Sequence, residues 1–267
     1  MLRAYYASLL RLSNAVRWCA ARSTLWLLCL GMLAALSAVP ALRADARLGL
    51  GRFSAALPGG GLPEGWEPLL FKNKARQTQY TLVAEQSTVV LRASSSAAAS
   101  GVKRDLEIDP RLYPRLQWRW KVAEGLRHSD VRRKESDDAA ARVSVAFAYH
   151  EQRVSWLDRA EFELARSLYG QYPPLATVMY VWERQLPAGT LAPSPYTKRV
   201  QTFVLRNNVD AYGSWYHEER NVYEDYQRAF GGTPPLITGV ALMTDTDNTG
   251  ESATAYYGDI HFLPAGP

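Results

Sequence analysis

Beyond residue 46, apolar side chains recur at every second position along most of the chain, the spacing of a strand with one buried and one exposed face. In Gln117-Trp-Arg-Trp-Lys-Val122, Trp118, Trp120 and Val122 share one side while Arg119 and Lys121 share the other. Val143, Val145, Phe147 and Tyr149 then alternate with Arg142, Ser144, Ala146 and Ala148. A 3.6-residue helix cannot collect such a pattern on one side, so the chain beyond the first 46 residues is predicted to be mostly β. Strands are expected over residues 78–84, 88–93, 102–108, 115–122, 141–149, 177–184, 199–206, 236–244 and 253–262. Turn residues separate them: Pro58 to Gly61, Asp109-Pro110, Pro187 to Gly189 and Asp245 to Gly250. Ser94 to Ser100 reads as a small-residue turn. Strands and helices do not alternate regularly, which argues against a parallel sheet. The expected fold is a mainly β, antiparallel β-sandwich of the jelly-roll, galactose-binding-like kind, with two inserted helices.

The first insert opens on Ser155 and Asp158 at capping-box spacing and carries an apolar stripe of Leu157, Ala160, Leu164 and Leu168. The second is expected over 218–230, with Val222, Tyr226, Ala229 and Phe230 on one stripe, a Glu224–Arg228 pair, and Gly231-Gly232 then Pro234-Pro235 as its stop. Both are expected to act as lids or plugs on the sandwich.

Residues 1–46 read as a signal peptide, and 47–267 as a single β-sandwich domain. A basic head (Arg3, Arg11, Arg17, Arg22) precedes a charge-free run from Leu25 to Val39 that is too short to cross a bilayer. Cleavage fits after Ala46 by an A-x-A match at Ala44, or nearer Val39 and Ala41. The expected destination is the periplasm, with membrane contact only through the leader. The leader also holds five of the 31 cations and one of the 26 acids, which leaves +1 of the net +5 for the remainder. A nucleic-acid partner therefore loses its compositional support. Cys19 and Cys29 both lie in the leader, so the exported part has no disulfide or thiol chemistry.

Catalytic signatures are missing from the sequence: there is no G-x-S-x-G elbow, no H-E-x-x-H pair among the four histidines, no Walker loop and no dinucleotide fingerprint. No catalytic residue is assigned. Asp245-Thr-Asp247-Asn-Thr-Gly250 starts like a calcium loop, but Tyr256 stands where an EF-hand places its closing glutamate. Calcium at Asp245 and Asp247 and a plain hairpin turn are the two readings of it. Asp137 and Asp138, adjacent in the chain, point to opposite sides and are expected to serve an ion pair to Arg119 or Arg142 rather than acid–base chemistry. The candidate ligand-binding set is Arg119, Lys121, Asp138, Arg142, Arg199, Tyr257 and Asp259, with Arg119, Lys121, Arg142, Arg199 and Asp259 expected on one side of a sheet. That side is either a solvated outer face or a surface where charge and aromatic rings meet a polar, sugar-like ligand.

Four segments together, Trp118 to Val122, Asp137-Asp138 through Phe147, Tyr180-Val-Trp182, and Asp245 to Gly250 through Tyr257-Gly-Asp-Ile260, resemble the bacterial domain-of-unknown-function family three-zero-four-seven over nearly the whole exported part. The resemblance implies an exported β-rich domain and transfers no catalytic residue. The closing Gly258-Asp-Ile-His-Phe262 strand is also similar to the last strand of carbohydrate-binding jelly rolls. These readings converge on a non-catalytic binding module for a carbohydrate or other polar cell-envelope ligand. The alternatives are a periplasmic polysaccharide hydrolase or lyase drawing Asp138, Glu183 and Asp259 from different strands, and an interaction domain that docks a partner on the 218–230 helix. Oligomeric state is not legible in the sequence.

Overall fold

The alternating runs pair into two facing sheets. The structure, a computed structural model, describes residues 47–71, 74–169 and 172–266, and Ala46–Pro267 form one compact unit. The leader, its cleavage position and both cysteines lie outside the described residues. Among the described residues, one sheet runs in the order β1 (Leu48–Gly51), β14 (Ile260–Leu263), β6 (Arg115–Glu124), β13 (Ser252–Tyr257), β4 (Thr88–Ser96) and β3 (Gln79–Glu85), with β11 (Tyr216–Asn221) also paired on β6. The other runs β2 (Trp66–Leu69), β5 (Ala99–Ile108), β12 (Ile237–Asp245), β7 (Ala139–Phe147), β8 (Ala176–Trp182), β10 (Val200–Arg206) and β9 (Leu191–Pro193). The architecture is thus the mainly β, jelly-roll-like sandwich that the period of two predicts. One pair departs from it: β8 and β10 are parallel.

Inward side chains of the two sheets form one core. Trp118 and Trp120 of β6 are buried and cross to β8, at 5.3 Å from Tyr180 and 6.1 Å from Trp182, ring centre to ring centre. Such tilted aromatic pairs add to plain area burial. Val143, Val145 and Phe147 of β7 point into the same core, as their alternation requires.

At the edge between β12 and β13 the core turns polar. Tyr257 of β13 reaches across the sandwich and donates to the Met243 carbonyl of β12 at 2.6 Å, while its oxygen accepts from the Arg142 amide at 3.3 Å. Tyr80 of β3 likewise donates to the Ser100 carbonyl at 2.7 Å, and Thr78 donates to the Thr244 carbonyl at 2.7 Å. Buried hydroxyls need such partners.

Two helices are inserted. In α1 (Trp156–Tyr169), Ser155 Oγ accepts from the Asp158 amide at 3.2 Å and donates to the Asp158 carboxylate at 2.8 Å, so the predicted cap forms. The predicted stripe does not do the packing: Ala160 and Leu164 are exposed, and Phe162 is the buried anchor. The second helix begins later than expected. Tyr216 to Asn221 form β11, because Glu218 faces inward and accepts from Trp120 Nε1 at 3.0 Å and Arg206 Nε at 2.7 Å. Asn221 then caps α2 (Val222–Phe230) by accepting from the Glu224 amide at 3.2 Å. Arg228 reaches the Gly189 carbonyl at 3.4 Å. Gly231 ends α2 at φ 75°, a conformation that costs glycine little. Ser94 to Ser100 are not a turn as a whole: only residues 97 and 98 lie between β4 and β5.

Candidate functional site

The predicted ligand set does not share a face. The alternation assigns sides within each strand correctly, but β6 and β7 belong to different sheets, so Arg119 and Lys121 lie outside one sheet and Arg142 outside the other. Arg119 stacks 4.6 Å from the Trp215 ring. Lys121 is almost fully buried between Trp215 at 5.3 Å and Tyr256 at 4.3 Å, and pairs with Glu85. Trp215 has no signal in the sequence pattern because it precedes β11 and belongs to no alternating run.

Arg142 is 4 % exposed and serves the fold. Its guanidinium donates to Asp245 at 2.7 and 2.9 Å and to the carbonyl and carboxylate of Asp137 at 2.9 and 3.1 Å. The expected ion pair from this acidic dipeptide to Arg142 therefore forms, through Asp137. Burial pushes Asp245 up to about 7 against the pull of Arg142, with Asp138 and Asp137 adding to the rise. Asp138 is fully buried and accepts from the amides of Asn248 and Thr249, at 3.2 and 2.7 Å, and from Thr249 Oγ1 at 2.7 Å. Tyr257 points inward, and Asp259 accepts from the Ser54 amide at 2.9 Å and hydroxyl at 2.5 Å in the gap between β13 and β14.

Carboxylate oxygens of Asp138, Asp245 and Asp247 converge within 4.8 Å of one another, a spacing that a cation could bridge. Their charges already have partners: Asp247 pairs with Lys74 and Asp245 with Arg142, while backbone amides fill Asp138. The loop fits a hairpin locked by internal cations, and calcium would have to displace Lys74. Glu183 is buried too. One of its oxygens accepts from the Gln185 and Leu186 amides, both at 2.5 Å, and the other has no partner. Asp138, Glu183 and Asp259, the acids of the hydrolase reading, are thus each engaged in holding a loop.

Arg199 lies elsewhere, in a cleft of about 700 Å³ between the two helices and one end of the sandwich. The parallel pairing of β8 and β10 builds it, because parallel strands start at the same edge. Thr177 pairs with Val200, so Leu175-Ala176 and Thr197-Lys198-Arg199 come side by side. Phe162 of α1, together with Tyr226 and Phe230 of α2, forms an aromatic lining. The Phe162 ring is 4.6 Å from the Arg199 guanidinium and 4.6 Å from Tyr149, and Tyr226 packs 4.6 Å from Phe147. Arg153 donates to the Thr233 carbonyl, and burial pushes the Tyr226 hydroxyl up while Arg153 opposes the shift. Gly231 and Gly232 complete the rim with positive φ and open space where a side chain would otherwise stand. Of this lining the sequence points only to Arg199 as a ligand contact; Tyr226 and Phe230 are legible in it as a helix stripe.

The fold and the cleft together define a β-sandwich protein with a concave site walled by its two inserted helices. The chain belongs to the family of proteins of unknown function DUF3047, whose profile matches residues 64–261. No curated protein matches it. Among solved structures it is similar to an arabinose-bound GH51 α-L-arabinofuranosidase (11 % identity, TM-score 0.39), covering 82 % of this chain and 26 % of that one. It is similar as well to a family 12 xyloglucanase from Bacillus licheniformis (7 %, TM-score 0.43, 82 % and 100 % covered). A third is the family 30 carbohydrate-binding module of a Clostridium thermocellum cellulosomal cellulase (11 %, TM-score 0.33, 84 % and 95 % covered). No helix among the described residues is long and apolar enough to cross a membrane.

Proposed function

We propose that the chain is exported to the periplasm, loses its leader after Ala46, and acts as a non-catalytic binding module that holds a carbohydrate or similar polar envelope ligand in the helix-walled cleft. One observation carries this reading: an opening of about 700 Å³ in which Phe162, Tyr226 and Phe230 meet Arg153, Lys198 and Arg199. That volume lies within the range of small-molecule sites, and apolar walls with a few convergent polar groups are their usual make-up. Aromatic faces suit the C–H surfaces of sugar rings, and cations suit the ring substituents. The engagement of Asp138, Glu183 and Asp259 in loop bonds supports binding over hydrolysis.

The test is a glycan array with the exported protein, followed by titration calorimetry on the hits and on Arg199→Ala. Binding that falls roughly tenfold or more in Arg199→Ala, with the melting temperature unchanged, is expected. No binding across a broad panel, or release of shortened products from a bound glycan, would overturn the proposal.

A further inference from the structure

Which kind of carbohydrate fits depends on the sign of charge inside the cleft. Three cations line it, Arg153, Lys198 and Arg199, against one acid, Asp158. That acid faces its own helix, since it accepts from the Ser155 hydroxyl at 2.8 Å within the cap of α1. The two helix ends at the cleft, N-terminal for α1 and C-terminal for α2, bear opposite partial charges and offset each other. Side chains therefore set the sign, and the sign is positive.

The cations are also differently placed. Arg153 is anchored on the Thr233 carbonyl beside Tyr226, whereas Lys198 is exposed at the mouth. Arg199 is oriented by its stacking on Phe162, which is buried, and its amide donates to Thr197 Oγ1 at 3.2 Å. A guanidinium held flat on a ring keeps its N–H edge in plane, the geometry that receives a carboxylate through two parallel bonds. The aromatic lining lowers the local dielectric, so a charge contact made there is worth more than at an open surface.

Resting on the binding proposal, we infer that the cleft selects an acidic saccharide, one whose rings lie against Phe162, Tyr226 and Phe230 while a carboxylate meets Arg199 and Lys198. The probe is trigalacturonic acid, compared with its fully methyl-esterified form, titrated into the exported protein at about 20 mM and about 200 mM sodium chloride. The acid is expected to bind roughly tenfold or more tightly than the ester at low salt, an advantage that shrinks at high salt. Lys198→Ala and Arg199→Ala, checked for unchanged melting temperature, should each reduce the acid's advantage and leave the ester's affinity in place.

Equal binding of acid and ester overturns the inference and leaves the binding proposal standing. Binding of neither, with no other glycan retained on the array, overturns the proposal itself. Inorganic phosphate that displaces the acid at equal concentration would mean a bare anion site, and would also overturn the inference.

Discussion

Replacing Arg142 with methionine should be among the most damaging single changes in this chain, and it should damage the fold rather than the cleft. Arg142 and Asp245 are 4 % exposed each, and the guanidinium supplies two of the three hydrogen bonds that the carboxylate receives, the third coming from the Ala139 amide at 3.2 Å. Removing one member of a buried pair leaves the other desolvated, at a cost of about 3–5 kcal/mol. In a unit of this size each kcal/mol moves the melting temperature by about 2–4 °C, so a fall of roughly 10 °C is expected. The double change Arg142→Met with Asp245→Leu should recover most of the loss. By contrast, Lys74→Ala breaks a pair whose lysine is 38 % exposed, and should cost less than about 1 kcal/mol.

The Arg142 effect also depends on pH. Burial already pushes Asp245 up to about 7, and losing Arg142 raises it further. The folded variant then keeps a proton that the unfolded chain, with an ordinary carboxyl, has released, so the variant gains stability as pH falls. Below about 7 the parent gains in the same way. The gap between the two is therefore widest near pH 9, narrows toward 7 and levels off below. Urea unfolding followed by tryptophan fluorescence at pH 9 and pH 6 measures both quantities. A cost under about 1 kcal/mol at pH 9, or a gap independent of pH, would refute the reasoning.

Two further outcomes follow from buried carboxylates. Burial pushes Glu183 up against the pull of the Leu186, Gln185 and Arg184 amides, so ionising it costs stability that is lost as pH rises through its folded value. Glu183→Gln keeps an oxygen for the Gln185 and Leu186 amides and should melt higher than the parent at neutral pH. The difference should shrink toward pH 4 in a thermal-shift series, and parallel pH curves would sink the idea. Millimolar calcium should shift the melting temperature by less than about 1 °C, because Lys74 and Arg142 already neutralise Asp247 and Asp245; a rise of several degrees would mean that calcium displaces Lys74.

Side-chain alternation makes most of the sandwich legible, including which residues of β6 and β7 face the core. It does not say which sheet a strand joins, and the one-sided grouping of Arg119 with Arg142 fails on that point. Pairing partners are set by contacts distant in sequence, such as Thr177 with Val200, and no local pattern encodes them. Residues 218–221 of β11 read as helix because Glu218, Glu219 and Arg220 resemble a charged first turn. Only the distant Trp120 and Arg206 explain why an acid there can face inward. The short strands β1, β2 and β9 hold too few residues to show a period. The cleft is hidden for a related reason: its lining comes from five separate stretches of chain, and Phe162 lies outside the stripe that the helix pattern suggests.

The hydroxyls of Tyr257, Tyr80 and Thr78 have one more consequence. They fasten the two sheets together with directional bonds at the Thr244 end of β12, whereas the cleft lies at the Ile237 end, roughly 23 Å away at about 3.3 Å per residue. Apolar contact tolerates sliding, and a hydrogen bond of 2.6 Å does not. The sandwich is therefore a book with a stitched spine: its leaves can part at the helix-walled edge to admit a guest, while the far edge keeps them in register.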